Sequence, residues 1–390
     1  MKILLPKNIQ ILLMQIIEDG HTLYAVGGMV RDAILDRHTK DFDLITNSNI
    51  EDLIDYIPGK YNINHHYGIL NFKIGDYDIE IARMRCDSCY SGRHSNVEFI
   101  DNIEEDLKRR DFTVNALAVK LFDGELIDLF GGLEDIKNSL LRTIGEPKIR
   151  FEQDVFRIIR AISFATRLDF DIEENTKAAI KHLSDSVKAL SPGLVGKELQ
   201  NIIQNPNRDN LGPILKDCNL FEHLFGYTKK FCAQEILDLG KNDSVCYLLY
   251  NSNIGAEKIG DILLKYQFPR NERQEITRLY RAILSIDNWK SYDDFEIFHS
   301  IRHFDFARLE KLCKALNIDT SNIMQIFPGI HIPSFITGDD ILKWVGYENK
   351  RKIGHLYDLI EYNRYKSKVV GLQDAKRLVL EEIPKTNTNH

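Results

Sequence analysis

The chain has 390 residues, 43% hydrophobic and 28% charged, which is enough for roughly two to four units, each burying its own core. A formal net charge of −7 excludes a protein that coats nucleic acid with its whole surface, but leaves room for a local basic track. No apolar run approaches the roughly 20 residues of a membrane span. Residues 1–10, with two lysines and no small-residue cleavage site, do not read as a secretion signal, so cytoplasm is the expected compartment. Cys86 and Cys89 form a C-x-x-C pair without a second pair at zinc spacing, which favours free thiols over a metal site.

In chain order, residues 9–17 predict an amphipathic helix, and residues 23–26 a short apolar strand. Gly27-Gly28 follows, a turn in which backbone can approach a ligand closely, and residues 29–36 predict a helix. Gly28 therefore precedes free helix N–H groups, and Arg31 in the first turn adds a forked donor, a combination suited to phosphate. Residues 42–46 predict a second strand. Asp41 and Asp43, two apart, share a face and aim two carboxylates at one point, which suits Mg²⁺ and phosphoryl or nucleotidyl transfer.

Residues 67–73 and 76–83 alternate around Gly75-Asp76 as an antiparallel hairpin. Residues 83–99, including Arg83, Tyr90, Arg93 and His94, are polar and irregular and predict a mobile loop. Residues 104–110 predict a short charged helix, residues 115–121 and 126–128 strands, and Gly131-Gly132 the start of another helix. At the junction, Arg109 and Arg110 can bind triphosphate oxygens while Asp111 faces a ribose hydroxyl or a metal. This is α+β ordering, not regular βαβ repetition.

From residue 149 the pattern is almost wholly helical: 151–168, 174–183 and 194–204, with breaks at Asn205-Pro206 and residues 328–333. Asp154, Arg157 and Arg160, spaced by three, predict a row on one helix face. Cytosine and adenine both present an exocyclic amino group beside a ring-nitrogen acceptor. A carboxylate can take the amino proton while a guanidinium donates to the nitrogen; uracil and guanine reverse that order. Further on, Arg270, Arg273, Arg278 and Arg281 fall on one face of a predicted helix over 270–286, and Lys343, Lys350, Arg351, Lys352, Arg364, Lys366 and Lys368 alternate with tyrosines.

The Gly-Gly-x-Val-Arg-Asp segment with Asp41-Phe42-Asp43, the Arg109-Arg110-Asp111-Phe112-Thr113-Val114-Asn115-Ala116 block and Asp154-Val155-Phe156-Arg157 together resemble the class II nucleotidyltransferases, the tRNA CCA-adding enzymes and bacterial poly(A) polymerases. Two departures stand out: Gln153 where the family has Glu, and Ser163 where a further arginine would continue the row. The resemblance implies a polymerase β-like head with a small mixed sheet over 1–142, a helical neck over 143–205, a helical body over 206–327 and an RNA-binding helical tail over 328–390. It implies two Mg²⁺ on Asp41 and Asp43, Arg110 on the nucleotide, Asp111 completing the site, and Asp128-Leu129-Phe130-Gly131-Gly132 in a structural role between head and neck. The 83–99 segment resembles the family loop associated with switching from C to A addition. The expected partners are the tRNA 3′ end, CTP and ATP, with no protein partner. A poly(A) polymerase or A-adding enzyme of the same superfamily, or an RNA-binding relative with a spent catalytic head, are the competing readings.

Overall fold

The computed structural model describes residues 1, 3–91, 94–205, 220–225, 239–252, 254–327 and 335–386, without the side chains of 88–96. Pro206, residues 328–333 and Arg93, and the side chains of Tyr90 and His94, lie outside it. The chain forms two compact units, Met1–Leu237 and Asp238–His390.

The first unit is built on a seven-stranded mixed sheet. Its strands are β1 (Leu23–Val26), β2 (Asp41–Thr46), β3 (Tyr61–Asn64), β4 (Ile69–Ile74), β5 (Tyr77–Arg83), β8 (Leu117–Lys120) and β9 (Leu126–Asp128), in the order β3-β4-β5-β2-β1-β8-β9. Only β2 and β5 pair in parallel; the other neighbours are antiparallel. The parallel step sets Asp41 beside Asp78 and Asp43 beside Glu80. Helix α1 (Lys7–Glu18) buries Ile9, Leu12, Leu13 and Ile16, the i, i+3, i+4, i+7 stripe expected of a helix with one face in a core. Helix α2 (Gly28–Ile34) buries Met29 and Val30. The α+β head and helical remainder are as the sequence predicts.

Two local expectations are corrected. The irregular loop expected over 83–99 is paired among its described residues. β6 (Arg85–Ser91) and β7 (His94–Phe99) form a separate antiparallel ribbon with a register shift between Ser88 and Ser91. A two-stranded ribbon has no buried face to impose apolar alternation, so its polar composition resembles a loop. The helix expected over 151–168 is also broken, into α5 (Pro147–Gln153) and α6 (Phe156–Leu168). Asp154 is extended, with φ −148° and ψ 101°, and its carboxylate accepts the Phe156 N–H at 3.0 Å. That local side-chain bond competes with helix continuation.

Helix α4 (Gly132–Lys137) starts where Asp128 accepts the Gly132 and Leu133 amides, at 2.8 and 2.9 Å, which accounts for the Asp128 segment structurally. A Cβ on Gly132 would run into the backbone oxygen of Thr113. Gly132→Ala should therefore cost about 1–3 kcal/mol by overpacking, whereas Gly260→Ala, in an exposed helical position with no atom near the added carbon, should stabilise by a few tenths up to about 1 kcal/mol. Urea denaturation of the two variants would show the opposite signs; equal stability for both would contradict the close Gly132–Thr113 approach.

Candidate active site

Residues alternate across β2, so Asp41 and Asp43 point to one side and line the same cleft of about 480 Å³, with Lys73, Asp78 and Glu80. Asp43 also lines a second cleft of about 590 Å³ with Glu80, Arg85, Arg109, Arg110, Asp111, Asp154, Arg157 and Arg160. The carboxylate strand of the sheet and the proposed base-reading residues of the helical segment thus meet around Asp43.

The Gly-Gly turn permits that approach. Gly27 has φ +60°, and a Cβ there would lie 3.2 Å from Arg110 Nη1 and 3.9 Å from Asp43 Oδ2. A Cβ on Gly28 would lie 3.7 Å from the same oxygen. Burial raises the Asp43 carboxyl above its ordinary value, Arg110 opposes that rise, and Asp41 adds to it. Burial and then the charge of Asp43 likewise raise Glu80. A desolvated carboxylate crowded by other acids is relieved by a hard dication, so Asp43, with the exposed Asp41 on the same strand face and Glu80 adjacent, fits Mg²⁺. Among the described residues, no group of three or more His, Cys, Asp or Glu side chains is already gathered around one metal position.

Several candidate ligands turn out to be engaged within the protein. Arg31 is buried, donates to Asp32 Oδ1 from Nε and Nη2 at 3.0 and 2.8 Å, and donates to Asn115 Oδ1 from Nη1. Asp111 accepts Arg160 Nε at 2.8 Å and Nη2 at 2.5 Å, Asn115 Nδ2 at 3.1 Å and the Phe112 N–H at 2.9 Å. Burial pushes the Asp111 carboxyl up, but the Arg160 charge and these hydrogen bonds outweigh it, leaving it below the ordinary value. Asp111, expected to face a ribose hydroxyl or a metal, here braces Arg160 and lines the same cleft as Asp43. The predicted helical row is likewise not one: Asp154 precedes α6, Arg157 lies in its first turn, and both reach the same cleft.

Gln153 takes over support of Arg157. Its Oε1 accepts Arg157 Nη1 at 3.3 Å and Arg150 Nη1 at 2.7 Å, while the Arg150 carbonyl accepts Arg157 Nη1 at 3.0 Å. Ser163 is buried.

Three contributors escaped the sequence. Glu80 reaches Asp43 only through the non-sequential β2–β5 pairing. Asn115 joins Arg31 to Asp111. Asp106, with no solvent exposure, holds Arg109 at 2.7–2.9 Å and Arg110 at 3.1–3.3 Å. Its spacing before those arginines, i to i+3 and i+4 on helix α3 (Ile103–Lys108) and its end, was a usable signal.

The family described as "Poly A polymerase head domain" matches residues 23–142, and "Probable RNA and SrmB- binding site of polymerase A" matches 169–232. The CCA-adding enzyme of Enterococcus faecalis (strain ATCC 700802 / V583) is 35% identical over 279 residues, covering 68% of this chain and 67% of that protein. The fold matches the crystal structure of the Bacillus stearothermophilus CCA-adding enzyme in complex with CTP, with TM-score 0.71 and 22% identity over 99% of this chain and 100% of that one. It also matches the Thermotoga maritima CCA-adding enzyme complexed with tRNA-CCA, with TM-score 0.67 and 22% identity over 98% and 95%. The chain belongs to the CCA-adding enzyme family of nucleotidyltransferases.

Burial raises the Asp106 carboxyl, but Arg110 and then Arg109 more than offset this, so the folded value lies below the ordinary 3.8. Its stabilisation is therefore fully present above the unfolded value and is lost as pH falls through the folded one. Asp106→Asn should cost about 3 kcal/mol near neutrality, with the gap to wild type narrowing below about pH 4. Urea titrations at pH 7 and pH 3 would measure it; a pH-independent gap would argue against an ionised Asp106.

Proposed function

We propose that the protein completes the 3′ CCA end of tRNA from CTP and ATP, releasing pyrophosphate, without a nucleic-acid template. The observation that carries this reading is the shared position of Asp43, which lines both the carboxylate cleft and the cleft of Arg110, Asp154 and Arg157. Family membership and the CTP and tRNA complexes of the structural neighbours support it. The division into head, neck, body and tail at 142, 205 and 327, and a cytoplasmic location, belong to the same proposal. Among the described residues no helix is long and apolar enough to cross a membrane.

In this reading Asp41 and Asp43 hold two Mg²⁺, which when bound polarise the α-phosphate and stabilise the attacking 3′ oxygen and the leaving pyrophosphate. Arg110, held by Asp106, faces the triphosphate, and the Gly27-Gly28 turn lets it approach Asp43. Asp154 accepts the exocyclic amino proton of cytosine or adenine while Arg157 donates to the ring nitrogen; uracil or guanine would oppose acceptor to acceptor and donor to donor. Arg31 and Arg160 act through their partners, as braces of the turn and of Asp111. The β6–β7 ribbon governs the change from C to A addition.

Purified protein with tRNA lacking CCA, tRNA ending in CC and an unrelated oligo(A), each with single nucleotides, tests the reading. Ordered C, C, A addition that then stops is expected; open-ended A addition to any primer would instead indicate a poly(A) polymerase, and no addition a spent head. In the same assay Asp43→Ala should lose addition by more than tenfold with the fold retained, and shortening the ribbon should spare C addition and suppress the final A. Equal loss of C and A in the shortened protein would reject the switching role.

The Asp154→Arg, Arg157→Asp double variant reverses the donor–acceptor order. It should shift relative use toward UTP or GTP, against a wild-type discrimination of about 1–3 kcal/mol per good pair. A folded, active double variant that keeps the CTP and ATP preference would mean that the base is read elsewhere.

A further inference from the structure

The carboxylate cleft of about 480 Å³ runs along one face of the sheet, from β2 across β5 and β4 to β3. Strand register orders its polar groups into two lines. Asp43 lies beside Glu80, Glu80 beside Asn71 and Asn71 beside Asn62, so one cross-strand line carries two acids and then two amides. A neighbouring line carries Asp41, Asp78 and Lys73. With strands about 4.8 Å apart, the backbone at Asn71 stands roughly 10 Å from that at Asp43, and Asn62 roughly 14 Å away.

The second line closes on itself, because Lys73 Nζ pairs with Asp78 Oδ1 at 2.9 Å. The first does not. The side chains of Asn71 and Asn62 line the cleft yet take no hydrogen bond among the described residues, and Asn71 is half-buried. An amide both donates and accepts, so Asn71 offers the cleft two unused bonds next to Glu80. On the other side of Asp43, the second cleft holds Arg110, Asp154 and Arg157. The proposed function assigns these to the triphosphate and base of the incoming nucleotide. In-line displacement brings the attacking oxygen from the side opposite the leaving group. The primer end therefore enters from the Glu80–Asn71 side.

The last base of the primer changes as C, C and A are added, so a group that holds every primer end must read something other than the base. The 2′-hydroxyl is common to all of them, donates and accepts at once, adjoins the attacking 3′ oxygen, and separates RNA from DNA. With the 3′ oxygen at the acids, the 2′-hydroxyl of the same ribose is turned along the line toward Asn71. We propose that Asn71 selects the primer end: its side-chain amide holds the 2′-hydroxyl of the terminal ribose and makes the protein extend RNA ends in preference to DNA ends. The inference rests on the proposed function, which places the incoming nucleotide on the Arg110 side.

The test uses full-length protein and tRNA ending in CC, made with ribose or with 2′-deoxyribose at its last nucleotide. The two primers are compared for A addition and, without nucleotide, for affinity. Wild type should use the deoxy primer about fivefold to tenfold less well, the worth of one good hydrogen bond. Asn71→Ala should lose about the same factor on the ribose primer and nothing further on the deoxy primer. The loss should fall on KM for the primer and leave KM for ATP unchanged. A structural defect would lower both primers alike. Asn71→Ser, which keeps a donor and acceptor, should retain part of the preference, and Asn62→Ala, one strand further out, all of it. No difference between the primers in wild type, in addition or in affinity, would overturn the proposal, as would an Asn71→Ala protein with the full wild-type preference. A wild type that adds nothing to any primer, yet binds the ribose end more tightly, would defeat the functional reading alone, because affinity still decides the role of Asn71.

Discussion

Asp106 is ionised with no access to water, a state that costs several kcal/mol unless counter-charges and hydrogen bonds surround it. Arg109 and Arg110 provide the charges, and the Arg85 amide donates a further bond at 3.2 Å. The carbonyls of those same two arginines accept Arg150 Nη2, and the Arg150 carbonyl in turn accepts Arg157. One desolvated carboxylate therefore links the base of the β6–β7 ribbon, the end of α3, and the α5–α6 segment that presents Asp154 and Arg157. Loosening it would disturb the Arg110 side and the Asp154–Arg157 side of the cleft together.

A second, part-buried chain of hydrogen bonds runs from Asp32 through Arg31, Asn115 and Asp111 to Arg160. Phe164 lies against it, with Arg31 and Arg160 5.5 and 5.0 Å from its ring centroid, distances at which a cation gains from the face of an aromatic ring. This chain ties the start of α2 to α6. Arginines that by residue type alone would be assigned to a nucleotide thus divide into two groups. Arg31 spends its donors on Asp32 and Asn115 away from the cleft, while Arg110, Arg157 and Arg160 line it, each held by a bond to the protein.

The second unit has its own apolar core. Its helices pack through apolar contacts, such as Ile341, Leu356, Ile360 and Val379, and leave arginine and histidine around a cavity whose one acid is internally satisfied.

The sequence by itself determined the α+β head, the helical remainder, the placement of Asp41 and Asp43 on one strand face and the Gly-Gly turn beside them. Each of these follows from local rules: side-chain period, turn chemistry and the spacing of two acids. The tertiary structure decided which internal partner each arginine takes, because a guanidinium's partner is chosen by long-range packing, as Arg31 with Asn115 and Arg160 with Asp111 illustrate. It also decided that Glu80 lies beside Asp43, a neighbour set by parallel pairing of strands far apart in sequence. Likewise, residues 85–99 pair as a ribbon and the predicted 151–168 helix breaks at Asp154. Cross-strand hydrogen bonds and a two-residue side-chain bond outweigh patterns that period alone reads as loop and continuous helix.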